Sequence, residues 1–91
     1  MSSGADTLKE EIKRAIVESL RLPISVDEIE NGMSLFGEGL GLDSIDVLEL
    51  VLEVERRFGV SITDEETGER VLRSVDTIAD FIVSERARKS V

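Results

Sequence analysis

Hydrophobic residues recur along most of the chain at intervals of three and four, the spacing of a helix with one buried face. The first such segment is predicted to begin near Thr7, which has capping-box spacing with Glu10, and to end before Pro23. Its apolar positions are Leu8, Ile12, Ala15, Ile16 and Leu20. We expect a disordered lead over residues 1–6, followed by a helical unit over residues 7–88.

The next three periodic segments predict three more helices. The second helix is expected from Ser44 to Phe58, with Asp43 as N-cap and Gly59 at the C-terminal end. Its apolar stripe consists of Val47, Leu50, Val51, Val54 and Phe58. A short third helix is expected over residues 64–72, weakened by a glycine at position 68. The last helix should start after Ser74 and bury Val75, Ile78, Ala79, Ile82 and Val83.

Residues 21–43 form a long connection between the first two helices, and long loops are more often functional than idle. A short turn is expected over residues 25–29, where Ser25 and Glu28 have capping spacing. The expected buried anchors of this connection are Ile29, Leu35, Phe36 and Leu40. No segment predicts a pair of strands. The pattern therefore predicts an all-α four-helix bundle with three long helices, one short helix and a long loop between helices one and two.

Composition excludes several kinds of chemistry. The 91 residues include no Cys and no His, which rules out thiolate or imidazole metal sites and Ser–His or Cys–His catalysis. The net charge of −9 opposes binding to nucleic acid and favours basic protein surfaces. The sequence contains no recognisable signal peptide and no apolar run long enough for a membrane span. We expect a cytoplasmic monomer that does not insert into membranes.

The strongest candidate for chemistry is Ser44, which follows a loop containing Gly39 and Gly41. A serine at a helix start is usually a cap. Here Asp43 already supplies a cap, so the Ser44 hydroxyl can point outward, at a helix end that favours a phosphate ester. With no base beside it, Ser44 fits a residue modified by another enzyme better than a nucleophile.

Acidic residues follow this serine along the second helix. They are Asp43, Asp46, Glu49, Glu53 and Glu55, and no Lys or Arg lies among them. This run is either a solvated helix face or a docking surface for basic patches on partner proteins. In the second interpretation, Ile45 and Leu52 add exposed apolar contacts.

Several short motifs together resemble the acyl carrier protein family. They are Asp43-Ser44-Ile45, the upstream Leu40-Gly41 and Leu35-Phe36, the downstream Glu49-Leu50, and the segment over residues 74–82. The resemblance covers roughly residues 7–83. It implies that Ser44 carries a 4'-phosphopantetheine arm, transferred from coenzyme A by a phosphopantetheinyl transferase. Gly39 and the pair Arg56-Arg57 depart from the fatty-acid-synthase form. The segment Gly39-Leu40-Gly41-Leu42-Asp43-Ser44 looks more like that of specialised carriers for polyketide-like, aryl-polyene or modified-lipid pathways.

The resemblance also implies a non-enzymatic role with defined surfaces. Acyl groups would be held as thioesters and delivered to ketosynthases, reductases, dehydratases or acyltransferases. The expected docking residues are Asp43, Ile45, Asp46, Glu49, Leu52, Glu53 and Glu55. The expected acyl pocket is formed by Val47, Leu50, Val54, Ile62, Val71 and Ile78. Two alternatives stay open, namely an aminoacyl or aryl carrier and a helical interaction module without a prosthetic group.

Overall fold

The computed structural model describes residues 4–37 and 39–89, which form four α-helices and one 3-10 turn. The helices are α1 (Gly4–Leu20), α2 (Ser44–Phe58), α3 (Glu65–Val71) and α4 (Val75–Lys89). The 3-10 turn (Val26–Glu28) lies in the long connection between α1 and α2. No strand occurs in the described ranges, where a single isolated bridge joins Phe36 and Leu42. The prediction of an all-α bundle is confirmed.

Helix α1 starts one turn earlier than expected. It begins at Gly4, so Thr7 lies inside the helix and is not its cap. Residues 1–3 of the expected disordered lead lie outside the described residues. The helix ends as predicted, before Pro23. Arg21 turns left-handed with a φ of 52°, and the Leu22 amide donates to the Val17 carbonyl at 3.1 Å, which closes the helix in the manner of a Schellman motif.

Helices α1, α2 and α4 enclose the core with their predicted stripes. The fully buried side chains include Ile12, Ile16, Leu50, Val54, Ile78 and Ile82. Two ion pairs connect the helices around this core. Lys9 contacts Asp76 between α1 and α4, and Arg57 contacts Glu18 between α2 and α1, each at 2.9 Å. Mutual burial of the three stripes is the main stabilising contribution to the bundle.

The prediction of the buried face of α4 is wrong at one residue. Val83 was expected on the buried face, but 54% of its surface is exposed. At 100° per residue it lies about a quarter turn from the middle of the stripe formed by Val75, Ile78, Ala79 and Ile82. The predicted cap of this helix is confirmed, since the Thr77 amide donates to the Ser74 hydroxyl at 3.2 Å.

Candidate functional site

The start of α2 presents Ser44 without using its side chain for capping. Asp43 accepts hydrogen bonds from the amides of Ile45 and Asp46, each at 3.0 Å, and its own amide donates to the Asp46 carboxylate at 3.1 Å. This is a capping box, as predicted for Asp43. Ser44 is exposed, and its hydroxyl has no hydrogen-bond partner among the described residues. The hydroxyl is therefore free to be modified.

The same capping box changes the expected setting for a phosphate. The amides of Ile45 and Asp46, which could have bound a phosphate ester, already donate to Asp43. These two amides are therefore not available to a phosphate group on Ser44 Oγ. Two N-terminal amides of α2 bind the Asp43 side chain instead, and this capping stabilises the first turn of the helix, where Ser44 lies.

The loop before Ser44 is hydrogen-bonded to the segment between α3 and α4. The Leu42 amide donates to the Leu35 carbonyl at 3.1 Å, and the Leu35 amide donates to the Arg73 carbonyl at 2.9 Å, next to the start of α4. Gly41, which directly precedes Leu42, has a φ of 71°, a conformation that favours glycine. This chain of bonds fixes the position of Ser44 relative to α3 and α4.

The backbone of Gly39 lies close to the backbone of Ser34 in the same loop. Its amide donates to Phe36, and the following amide of Leu40 donates to the Ser34 carbonyl, both at 3.2 Å. A Cβ atom on residue 39 would overlap that Ser34 carbonyl oxygen. The glycine that departs from the common form of the carrier family is therefore required by this loop.

A groove of about 640 Å³ starts at Ser44 and runs between α2 and α3. Its apolar part comes from α2 and from the segment that follows it, while α3 and the two residues before it supply most of its polar rim. The lining residues are Ser44, Ile45, Val47, Leu48, Val51, Ile62, Thr63, Asp64, Glu65, Gly68 and Glu69. The site thus joins a free hydroxyl to an open apolar groove.

The expected acyl-pocket residues divide between this groove and the core. Val47 and Ile62 line the groove. The other four are buried in the core instead, namely Leu50, Val54, Val71 and Ile78. The acyl pocket as a set stays a prediction.

The outer face of α2 carries an exposed apolar stripe. Ile45 is 67% exposed, and Leu48 and Leu52 are each 63% exposed. Ile45 and Leu52 were predicted from the sequence as exposed apolar contacts, and Leu48 was not. The signal was present, because Leu48 follows Ile45 by three positions and precedes Leu52 by four, which places all three on one face.

The acidic residues of α2 have different surroundings. Glu53 forms ion pairs with Arg56 at 2.6 Å and with Arg57 at 3.1 Å, and its side chain is only 12% exposed. Glu55 accepts a hydrogen bond from the Ile62 amide at 2.8 Å. In the described part of the chain, Glu49 is exposed, and its carboxylate neither forms an ion pair nor accepts a hydrogen bond. Docking through these carboxylates stays a prediction, and Glu49 is the member most available for it.

The site thus combines an exposed serine at a helix start with an adjoining apolar groove. The family model described as the phosphopantetheine attachment site matches residues 10–82, most of the chain. The chain belongs to this family of acyl-carrier-type proteins, whose prosthetic group is 4'-phosphopantetheine. The free Ser44 hydroxyl and the adjoining groove fit such a flexible arm. No described helix is both long enough and apolar enough to cross a membrane.

Proposed function

We propose that Ser44 is the single attachment site of 4'-phosphopantetheine in this carrier. In the transfer, Ser44 Oγ forms a bond to the phosphorus next to pantetheine. The diphosphate bond of coenzyme A breaks, adenosine 3',5'-bisphosphate leaves, and the serine proton passes to the transferase. The observation that supports this assignment is the exposed Ser44 hydroxyl, which has no hydrogen-bond partner in the described part of the chain because Asp43 caps α2.

In this proposal the chain presents the arm and shelters the attached acyl group, and it catalyses no reaction itself. The sequence has no His and no Cys, and the charged side chains closest to Ser44 in sequence are the carboxylates of Asp43 and Asp46. Both carboxylates accept hydrogen bonds from backbone amides, and in the described residues neither is hydrogen-bonded to the Ser44 hydroxyl. When attached, the arm supplies the thiol that holds acyl groups as thioesters.

The surface around Ser44 supports a proposal about the partners. The stripe formed by Ile45, Leu48 and Leu52 is apolar, and Glu49 lies beside it. Such a surface suits a phosphopantetheinyl transferase, a ketosynthase, a reductase, a dehydratase or an acyltransferase that presents an apolar patch with basic residues around it. We assign the carrier to fatty-acid or polyketide-type synthesis.

Intact mass spectrometry after incubation with coenzyme A and a promiscuous phosphopantetheinyl transferase tests the attachment site. The native chain should gain the mass of one phosphopantetheine, and Ser44→Ala should gain none. Ser84→Ala is the matched control, because Ser84 is also exposed on a helix. Circular dichroism should show equal helical content in all three proteins. A mass gain in folded Ser44→Ala would refute the assignment.

A further inference from the structure

Gly68 lies in the middle of α3 and lines the groove that starts at Ser44. It is buried, and it faces Val51 of α2 and Ile62 of the segment between the helices. A Cβ atom built on it would lie 3.5 Å from the Cγ2 atoms of both residues. Gly68 therefore occupies the point where the apolar walls of the groove meet α3.

The helix itself has no need of glycine at this position. The positive-φ glycines are Gly37, Gly41 and Gly59, and Gly68 is not among them. A distance of 3.5 Å is ordinary van der Waals contact, so alanine would fit. Glycine destabilises a helix interior relative to alanine, and a helix of seven residues has little stability of its own. Local stability favours alanine, and what glycine provides instead is empty space in the groove.

The rim of the groove determines the kind of group that suits this space. Asp64, Glu65 and Glu69 are exposed carboxylates along the α3 side of the groove. Hydrogen bonds from the Thr67 hydroxyl and amide hold the pKa of Asp64 below its usual range, so this carboxylate stays ionised at neutral pH. A negatively charged group is repelled by such a rim, whereas an uncharged chain reaches Val51 and Ile62 beyond it.

We propose that Gly68 is a specificity-determining residue, which keeps the groove deep enough for an uncharged acyl chain to pass between α2 and α3. This inference rests on the proposed attachment of the arm at Ser44. Side chains at position 68 should shorten the acyl chain that the carrier can shelter, in proportion to their size.

The test compares native protein, Gly68→Ala, Gly68→Leu and the control Glu66→Leu, which adds the same side chain to an exposed position of α3 that does not line the groove. Each is loaded with acetyl-, butyryl-, octanoyl- or succinyl-phosphopantetheine from the matching coenzyme A ester, and loading is verified by intact mass. The readouts are the melting temperature relative to the acetyl form and the methyl NMR shifts of Val51 and Ile62.

In native protein and in Glu66→Leu, octanoyl should raise the melting temperature and shift both methyl groups. Gly68→Ala should reduce these changes and Gly68→Leu should abolish them, while both still accept the arm. Should Gly68→Leu not fold, the reduction in Gly68→Ala decides the question. Octanoyl effects in Gly68→Ala or Gly68→Leu as large as in native protein would overturn the proposal.

The succinyl form tests the charge of the sheltered group, because it has the same four carbons as butyryl, with a carboxylate in place of the terminal methyl group. Butyryl should shift the methyl groups of Val51 and Ile62 more than succinyl does. Equal shifts would overturn the restriction to uncharged chains. Failure of every variant to gain mass would instead count against the attachment at Ser44, so the two ideas fail in distinguishable ways.

Discussion

Replacing Gly39 by alanine should destabilise the loop that positions Ser44. The added Cβ would overlap the Ser34 carbonyl oxygen, so the loop must move and the Leu40 N–H to Ser34 hydrogen bond of 3.2 Å is lost. Losing one such bond costs about 0.5–1.5 kcal/mol, and forcing a methyl group into occupied space costs about 1–3 kcal/mol. Together they predict a loss of roughly 2–4 kcal/mol.

This loss should be visible in a thermal melt followed by circular dichroism. For a domain of this size, each kcal/mol shifts the melting temperature by about 4–8 °C, so Gly39→Ala should melt on the order of 10–30 °C below the native protein. Total stability for 91 residues is about 5–14 kcal/mol, so the variant should still fold at low temperature. Transfer of phosphopantetheine to Ser44 should be slower in the folded variant, because the loop no longer fixes the start of α2.

Gly32→Ala is the matched control in the same connection. A Cβ at Gly32 would lie 3.7 Å from Asp76 Oδ2, an ordinary contact, and we expect a change within about 0.5 kcal/mol. If Gly39→Ala melted at the same temperature as Gly32→Ala, the close approach to Ser34 would not be a constraint on the loop. The explanation of the glycine at position 39 would then be wrong.

Two further predictions concern the carboxylates of α2. Glu49→Lys should weaken binding to a basic partner enzyme by about 0.2–1 kcal/mol and reduce the salt dependence of that binding in titrations. Glu30→Lys makes the same charge change away from α2 and should do neither. Equal effects of the two variants would indicate that only the net charge of the protein matters. Glu55→Ala should lower the free energy of unfolding, measured in urea, by about 1.5–3 kcal/mol because the Ile62 amide loses its acceptor. Glu55→Gln keeps an acceptor oxygen and should retain most of that stability. Equal losses in the two variants would contradict the role of this hydrogen bond.

The sequence predicted α2 well because both of its ends are marked chemically. Asp43 and Gly59 stand directly outside the predicted limits, and the structure uses both, with Gly59 left-handed at a φ of 68°. The start of α1 has no equally strong signal. The Thr7 and Glu10 spacing suggested a cap, but the helix continues to Gly4. Local chemistry fixes an element boundary only where a residue with special capping geometry is present.

The surroundings of the acidic residues could not be predicted from the helix alone. Glu53 is held by Arg57, which in turn contacts Glu18, 39 positions away in the sequence. Glu55 bonds to a backbone amide of the segment after the helix. Helical periodicity describes which face a residue shares, and it contains no information about which partner another element brings to that face.

These assignments leave two separate acidic lines around the apolar stripe of α2. Glu49 lies on one side of Ile45, Leu48 and Leu52, and the rim carboxylates of α3 lie across the groove on the other side. A basic partner is attracted by both lines over a Debye length of about 8 Å, whereas the stripe acts only in contact. Under the proposed docking, charge therefore determines mainly how fast a partner arrives at Ser44. The apolar stripe determines mainly how long it stays.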